Sequence, residues 1–382
     1  MLTKKSLKNL AYLVIVQTWQ QARDYIEEST AEMKELTEAA GAKVLGVSTA
    51  RVPKPSPSHF IREGKLAEVA GKAKAAGANV LLFNVDLTPV QARNIESFAK
   101  IPPVDRTGLI LEIFGRRAKT REGKLQVELA RLQYILPRLG GLGVVFSRLG
   151  GGIGTRGPGE TELEKDRRKI RLRIKSVKDE LDQVIRHRTL LRAGRKRKHL
   201  LSAVLVGYTN AGKSTLMNAL TGADSYVEDK MFATLDPMTR MQSLDGRRDI
   251  LFTDTVGFLK DLPHSLVKSF HATLEEVTTA DVLVHVLDAS HSKAQDMKTT
   301  VEAVLKEIGA EDKPVVLALN KADLLKEEDK KKVMDSWPGG ILISAKENLG
   351  LVSLISRIEQ IAGENPRYKA AHEDSSPGEE PS

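Results

Sequence analysis

The sequence contains no cysteine, few aromatic residues and no long hydrophobic run. Without cysteine, disulfide bonds, thiolate catalysis and cysteine-ligated zinc are excluded. No apolar run approaches the roughly 20 residues that span a bilayer, and the first residues lack the pattern of a signal peptide. We therefore expect a cytoplasmic protein without a membrane span, which can still associate with ribosomes or membranes. Hydrophobic residues make up 41% of the 382 positions, which is enough to bury a sizeable core.

The net charge of +9 is concentrated in one stretch of the chain. From Lys165 to His199 there are fifteen Lys and Arg residues against four acidic residues, a difference of +11. This difference exceeds the excess of the whole chain, so the remainder is close to balanced. A localised basic surface favours a polyanionic partner, most plausibly nucleic acid. The alternative is a helix whose charged face is only solvated.

A phosphate-binding loop is predicted at Gly207–Thr215. The segment reads G-Y-T-N-A-G-K-S-T and matches the pattern G-x-x-x-x-G-K-[ST]. An apolar stretch that is typical of a buried strand precedes it, and a helical stretch follows it. Two glycines allow the backbone to curl so that successive N–H groups point at a phosphate. These flanks disfavour the alternative of a chance glycine turn.

Two side chains at the end of this loop are expected to contact the nucleotide directly. Lys213 is predicted to reach the outer phosphates, and the Ser214 hydroxyl is predicted to bind Mg²⁺. A second hydroxyl for the same ion is expected from Thr234, because a switch segment needs a contact that is lost with the γ-phosphate. Asp254 is expected to hold the ion mostly through water, and the N–H of Gly257 to contact the γ-phosphate.

Two later motifs predict which base is bound. Asp323, in Asn320–Asp323, can accept two hydrogen bonds from the N1–H and the N2 amine of guanine, a pair of donors that adenine lacks. In Ser344–Lys346, the N–H of Ala345 is expected to contact the guanine O6. Each short motif is weak evidence when it occurs alone. Here five motifs follow one another in the order found in GTPases: Gly207–Thr215, Phe232–Asp236, Asp254–Gly257, Asn320–Asp323 and Ser344–Lys346. Together they predict that the nucleotide is GTP. A generic P-loop ATPase is disfavoured by Asp323.

The predicted site is therefore a list of residues from five motifs. The predicted nucleotide-binding residues are Gly207, Tyr208, Thr209, Asn210, Ala211, Gly212, Lys213, Ser214, Thr215, Phe232, Ala233, Thr234, Leu235, Asp236, Asp254, Thr255, Val256, Gly257, Asn320, Lys321, Ala322, Asp323, Ser344, Ala345 and Lys346. The predicted catalytic residues are Lys213, Thr234 and Gly257. The predicted metal ligands are Ser214, Thr234 and Asp254.

Phe258 occupies a position that takes part in hydrolysis in many GTPases. Ras-type GTPases carry a glutamine at this position, which orients the attacking water. Phenylalanine cannot do so, and we expect intrinsic hydrolysis to be slow until a monovalent cation, switch residues or a partner supply the missing groups. Asn210 occupies the position of a cation-binding asparagine in potassium-dependent GTPases, which makes stimulation by K⁺ a hypothesis.

The region before the phosphate loop is predicted to form two domains. Residues 1–115 alternate between strand-like and helix-like stretches, which predicts a parallel α/β domain. Its Arg51, His59 and Asp86 are scattered singly and are expected to be surface or structural residues. Residues 116–199 are predicted to form a basic helical hairpin. Residues 200–363 are predicted to form the GTPase domain with a doubly wound, mostly parallel sheet, and residues 364–382 a disordered tail.

The hairpin is predicted from two apolar repeats. Between Leu125 and Leu139 leucines step by four, three, four and three, and between Ile170 and Leu191 apolar residues recur every seven. Such spacing is typical of an antiparallel coiled coil, although a helix packed on its own domain also explains part of it. Nine glycines lie within the twenty residues 140–159 that join the repeats. This loop is expected to be ordered by a partner, the alternative being a plain flexible linker.

Taken together, these residues resemble the HflX family of ribosome-associated GTPases. The resemblance covers about residues 10–362. Its most specific parts are Gly151–Glu162 with the following Asp-Arg-Arg at 166–168, Gly207–Thr215, Phe232–Asp236 and Asp254–Glu276. Met238 departs from the threonine that the family pattern leads us to expect, without touching the nucleotide chemistry.

The resemblance implies a ribosomal function. Members of this family are expected to bind the large ribosomal subunit and its rRNA, with the hairpin and glycine loop reaching toward the peptidyl-transferase region. They split or rescue stalled ribosomes, particularly under stress, and the ribosome stimulates their GTPase. The expected ligands are GTP or GDP with Mg²⁺, the expected state is a monomer, and the expected RNA-binding residues are Arg148, Arg156, Arg167 and Arg168. The alternative is an rRNA-binding assembly or silencing factor in which GTP only gates binding.

Overall fold

The computed structural model describes residues 9–18, 24–139, 162–197, 200–222, 231–232, 234–243, 249–259 and 271–364. The chain divides into two compact units, Met1–Leu181 and Asp182–Ser382, and the division falls inside one long helix. Within the described residues, no helix combines the length and apolar character needed to cross a membrane. The predicted division into four segments at residues 115, 199 and 363 remains a prediction.

A four-stranded parallel sheet forms the centre of the first unit. Its strands are β1 (Asn9–Gln17), β2 (Ala42–Arg51), β3 (Val80–Phe83) and β4 (Pro103–Val104), in the order β2-β1-β3-β4. Parallel neighbours need crossover connections, and α1 (Tyr25–Ala39), α2 (Glu63–Ala75) and α3 (Pro89–Ala99) provide them. All six residues of β1 from 11 to 16 are buried, as expected for a strand covered on both faces. The predicted parallel α/β domain is confirmed.

Helix α4 (Arg106–Arg117) follows β4 and was not predicted from the sequence. Its apolar residues, Leu109, Ile110, Leu111, Ile113 and Phe114, are almost continuous and are all buried. Leu109 and Ile113 lie four residues apart, as do Ile110 and Phe114, but a short run of apolar residues cannot be assigned to a helix or to a buried strand by periodicity alone.

Helix α5 (Arg121–Ile135) ends earlier than the leucine repeat suggested. A short 3₁₀ turn, Leu136–Arg138, replaces the predicted continuation to residue 139. Pro137 explains the difference, because proline has no N–H with which to continue the hydrogen bonds of an α-helix. Leu125 and Leu129 are buried, and α5 packs against α4, so part of the repeat serves packing within its own unit.

Helix α6 (Glu162–Arg197) has 36 residues and is about 54 Å long. Its Arg173 guanidinium donates to both carboxylate oxygens of Glu128 on α5, at 2.7 and 2.9 Å. Val177 is buried, whereas the flanking repeat residues Ile174 and Leu181 are half-buried. The glycine-rich segment between α5 and α6 lies outside the described residues, so the antiparallel hairpin remains a prediction.

The second unit contains a six-stranded sheet in the order β10-β9-β8-β5-β7-β6. All neighbours are parallel except β6, which runs antiparallel to β7. The strands are β5 (Leu201–Gly207), β6 (Met238–Gln242), β7 (Ile250–Asp254), β8 (Val282–Asp288), β9 (Val315–Asn320) and β10 (Ile341–Leu342). The helices are α7 (Lys213–Thr221), α8 (His271–Thr279), α9 (Ala294–Glu307), α10 (Glu327–Ser336) and α11 (Leu351–Glu364).

Strand β5 lies at the point where the strand order reverses. The chain passes from β5 to β6 and β7 on one side, and then to β8, β9 and β10 on the other. In open α/β sheets, ligands bind outside the carboxyl ends of the strands at such a reversal. The predicted doubly wound, mostly parallel sheet is confirmed, and its topology directs attention to the loop after β5.

A buried polar network fastens α4 and α5 to the first unit's sheet. Asp105 is 2% exposed, and its carboxylate accepts hydrogen bonds from the N–H of Gly108 (2.8 Å), the Tyr134 hydroxyl (2.7 Å), the Arg138 guanidinium (2.9 Å) and the N–H of Leu87 (3.2 Å). Burial raises the pKa of Asp105, and the Arg138 charge and the donors oppose this effect. The Arg138 guanidinium also lies 3.7 Å from the centre of the Tyr134 ring.

We expect the substitution Asp105→Ala to destabilise this unit by about 3–5 kcal/mol, because it removes a buried acceptor of four hydrogen bonds and leaves the half-buried Arg138 charge without its carboxylate partner. Hydrogen exchange of the α4 and α5 amides would measure the loss. Glu68→Ala is the control, since that carboxylate pairs with exposed Lys65 and Lys72, and we expect no change in exchange. Unchanged protection of α4 in the Asp105 variant would contradict the structural role of the network.

Candidate functional site

The loop after β5 requires glycine at two positions. Gly207 has a φ of 155°, and a Cβ there would lie 2.3 Å from the carbonyl oxygen of Val286. Gly212 has a φ of 93°, and a Cβ there would lie 2.3 Å from the side-chain nitrogen of Asn320. The loop can therefore approach β8 and the end of β9 only without these side chains. Its last turn leads directly into α7, whose N-terminus supplies N–H groups suited to a phosphate.

Lys213 is the first residue of α7, and its side chain is buried inside the loop. The ammonium group donates to the carbonyl oxygens of Gly207 (3.2 Å) and Tyr208 (2.9 Å). Burial lowers the pKa of Lys213 to about 8, against the opposing effect of the Asp254 carboxylate. The group therefore remains mostly charged at neutral pH, and its position agrees with the predicted role at the outer phosphates.

The three predicted metal ligands meet at one point. The hydroxyls of Ser214 and Thr234 both donate to Oδ2 of Asp254, at 2.7 and 2.8 Å, and they lie 2.8 Å from each other. The second carboxylate oxygen, Oδ1, is buried without a hydrogen-bond partner in the described structure. Burial raises the pKa of Asp254, whereas the Lys213 charge and both hydroxyls lower it. Hydroxyl and carboxylate oxygens are the hard ligands that Mg²⁺ prefers, so this set fits the predicted ion.

The segment after Asp254 is joined to the phosphate loop by backbone hydrogen bonds. The N–H of Phe258 donates to the carbonyl of Gly207 (3.1 Å), and the carbonyl of Phe258 accepts from the N–H of Thr209 (2.8 Å). The Phe258 ring is 1% exposed. It therefore packs in the interior, and it cannot orient a water molecule. A Cβ on Gly257 would lie 2.8 Å from the Thr209 Cα and 3.0 Å from Lys213 Nζ, so the backbone of Gly257 passes close to both residues.

Asn320 connects the phosphate loop to the two base-recognition segments. Its side-chain amide donates to the carbonyl of Ala211 (2.9 Å), and its side-chain oxygen accepts from the N–H of Ala345 (3.0 Å). The same N–H was predicted to contact the guanine O6, and in this structure its acceptor is Asn320. Asp323 accepts a hydrogen bond from the Ser344 hydroxyl (2.6 Å), which orients its carboxylate.

Asp288 is a residue of this site that the sequence did not indicate. Its carboxylate lies 2.7 Å from the ammonium group of Lys321, which adopts the left-handed region with a φ of 65°. The same carboxylate accepts from the N–H and hydroxyl of Ser290. Asp288 ends β8, next to the end of β9, and only the pairing of these strands brings it to Lys321.

Other predicted residues lie in the nucleotide-binding unit, on α6 or outside the described residues. Phe232 and Leu235 are buried, Lys346 is exposed, and Ala233 lies outside the described residues. Arg148 and Arg156 also lie outside the described residues. Arg167 and Arg168 lie on the first turns of α6 in the other unit. The structure thus brings together the five motifs of the nucleotide site, and the RNA-binding assignment remains a prediction.

Sequence models of three protein families match this chain. A GTP-binding GTPase N-terminal model matches residues 27–115, a GTP-binding GTPase Middle Region model matches 117–195, and a 50S ribosome-binding GTPase model matches 202–321. The GTPase HflX of Caldanaerobacter subterraneus subsp. tengcongensis is 49% identical, over 87% of this chain and 77% of that protein. The chain belongs to the HflX family of GTPases. The resemblance seen in its motifs is confirmed, and the chain is a GTPase that binds GTP and GDP.

Two further comparisons agree with this assignment. The GTPase HflX of Escherichia coli K12 is 42% identical to this HflX-family chain, over 88% of the chain and 80% of that protein. Among solved structures, the crystal structure of the SsGBP and GDP complex matches with a TM-score of 0.50 and 27% identity. That match covers 93% of this chain and 98% of SsGBP.

Base selection by Asp323 can be tested with Asp323→Asn. An amide cannot accept both guanine donors, and we expect the affinity for GTP to fall about 100-fold. Xanthine carries an oxygen in place of the N2 amine, so the variant should gain affinity for xanthosine triphosphate. Titration with fluorescent nucleotides would measure both effects. Asp329→Asn makes the same change at a surface carboxylate that pairs with Lys332, and it should leave base preference unaltered. Retained GTP preference in the Asp323 variant would refute the assignment.

Proposed function

We propose that this HflX-family GTPase binds the large ribosomal subunit and uses its nucleotide cycle to split or rescue stalled ribosomes. The observation that carries the proposal is the exposed basic surface of α6. Within its first 25 residues, eight exposed side chains are cationic: Lys165, Arg168, Lys169, Arg171, Arg173, Lys175, Lys178 and Arg186. Phosphate groups of rRNA are the polyanion that such a surface fits best.

The family comparisons support the same partner. The model that matches residues 202–321 describes a 50S ribosome-binding GTPase, and relatives of 49% and 42% identity carry the HflX name. In the proposal, Arg148, Arg156, Arg167 and Arg168 contact rRNA, and residues 116–199 form the arm that reaches the ribosome. Residues 200–363 bind and hydrolyse GTP and thereby set how long the protein stays on the ribosome.

The nucleotide cycle follows from the residues of the site. Ser214, Thr234 and Asp254 would hold Mg²⁺, which neutralises charge on the phosphates when it is bound. In the proposal, Thr234 contacts Mg²⁺ beside the γ-phosphate in addition to Ser214 and Asp254, so GTP orders its segment and hydrolysis releases it. We propose that the ordered form binds the ribosome tightly and that the released form dissociates. Since Phe258 supplies no group for the attacking water, contact with the ribosome is proposed to accelerate hydrolysis.

Sedimentation of intact ribosomes with the protein tests this function. With GTP or a non-hydrolysable analogue we expect free subunits, and with GDP intact ribosomes, because only the triphosphate orders the switch segment. Persistent intact ribosomes with every nucleotide, together with nucleotide-gated binding, would instead favour the assembly or silencing factor. Replacing Lys169, Arg171 and Lys175 by Glu should abolish binding. The same change at Lys330, Lys331 and Lys332 of α10 is the matched control and should leave binding intact.

Potassium dependence is proposed from Asn210. This residue is exposed, has a φ of 61° and stands in the phosphate loop, where its side-chain oxygen is available to a cation. We expect GTP turnover to be faster in potassium chloride than in sodium chloride at equal ionic strength, and the substitution Asn210→Ala to remove the difference. Steady-state phosphate release in the two salts measures this effect. Equal turnover of the unmodified protein in both salts would end the hypothesis.

A further inference from the structure

Arg173 is one of the exposed cationic side chains of α6, and its partners distinguish it from its neighbours. Its Nε and Nη2 donate to the two carboxylate oxygens of Glu128 on α5, at 2.7 and 2.9 Å. In the part of the chain that the structure describes, Arg171, Lys175 and Lys178 have no carboxylate within ion-pair distance. These three charges are available to a partner, whereas the charge of Arg173 is already paired.

A second carboxylate completes the surroundings of the Arg173 guanidinium. Its Nη1 donates to Oε1 of Glu180 at 3.4 Å, and the Ser176 hydroxyl donates to the same oxygen at 3.2 Å. Each of the three guanidinium nitrogens therefore has a carboxylate acceptor. A planar guanidinium that is bound through two parallel N–H groups has a fixed direction. A phosphate could bind it only by displacing a carboxylate.

Glu128, the partner of Arg173 on α5, lies in a closely packed part of that helix. Val127 and Leu129 on either side of it are buried, and α5 also packs against α4. The ion pair therefore ties α6 to the core of the first unit. Val177, one turn after Arg173 on α6, is buried as well, so an apolar residue supports α6 next to the ion pair.

We propose that Arg173 is a positioning residue, which holds α6 on α5 through Glu128, and that the unpaired cations beside it bind the rRNA phosphates. The ion pair lies in the half of α6 that belongs to the first unit, which ends at Leu181. A basic surface that is already held in place loses less conformational freedom when it binds, so the ion pair raises affinity without adding a contact. The identity of the partner rests on the proposed function, whereas the link between α5 and α6 does not.

Substitution of both partners by glutamine, Arg173→Gln with Glu128→Gln, removes the ion pair and leaves the net charge unchanged. We expect the α6 amides of the free protein to exchange faster, and the affinity for the large ribosomal subunit to fall roughly fivefold. The slope of log affinity against log salt concentration should not change, because no phosphate contact is lost. Arg171→Gln is the comparison, and it should reduce that slope by about 0.7–0.9.

A matched control removes an ion pair that joins no two helices. Glu327→Gln with Lys330→Gln deletes a pair within α10, and it should change neither the exchange of α6 nor the binding of the large subunit.

Exchange of the two residues, Arg173→Glu with Glu128→Arg, separates positioning from phosphate binding. The exchanged pair restores the attraction between the helices and moves the positive charge from α6 to α5. We expect it to recover most of the affinity and of the amide protection, whereas Arg173→Glu alone should lose both. A residue that binds phosphate directly would not be rescued in this way.

Three results would overturn the inference. A slope reduced by about 0.7–0.9 in the glutamine pair would show a phosphate contact at Arg173. Absence of recovery in the exchanged pair would show the same. Unchanged exchange of the α6 amides in the glutamine pair would show that the ion pair does not hold the helix. If the unmodified protein does not bind the large subunit, the proposed function fails, and amide exchange alone decides whether Arg173 positions α6.

Discussion

The close approach of the phosphate loop to the neighbouring strand ends is the constraint on which the nucleotide site depends. At Gly212 the loop comes so near to Asn320 that a single Cβ would displace the amide. Asn320 uses this proximity to bind the loop carbonyl of Ala211 with one side-chain atom and the N–H of Ala345 with the other. The phosphate loop and the base-recognition segments are thus joined through one side chain.

Burial of opposite charges is the second feature of the site. Lys213 and Asp254 are both removed from solvent, which lowers the pKa of the lysine and raises that of the aspartate. Each charge opposes the effect of burial on the other, and two hydroxyls support the carboxylate. Burial of such a pair is unfavourable for the stability of the protein. A site that binds highly charged phosphates and a divalent ion gives the two charges a function. The same reasoning separates this pair from Asp105 and Arg138, because the Asp105 carboxylate accepts four hydrogen bonds within the first unit.

The sequence predicted the structure of the second unit more completely than that of the first. In the second unit, motifs with fixed spacing marked strand ends and loops. The observed sheet is doubly wound and mostly parallel, as predicted. In the first unit, strands were found from apolar stretches, but α4 was missed because its apolar residues fall within the short run 109–114, which is also compatible with a buried strand. The end of α5 was also misplaced, although Pro137 stood in the sequence as a signal. Periodicity locates long amphipathic elements, and it cannot distinguish a helix from a buried strand in a short apolar run.

The sequence by itself determined the phosphate loop, the preference for guanine and the absence of a catalytic glutamine, because these depend on residue type at fixed spacing. Only the tertiary structure decided that Ser214, Thr234 and Asp254 meet within hydrogen-bond distance, since they are brought together by the pairing of β5 with β7 and by the segment before β6. Only the structure placed Asp288 beside Lys321, and only it showed that Phe258 is a buried anchor for Thr209. Strand order sets these contacts, and no local pattern in the chain encodes strand order.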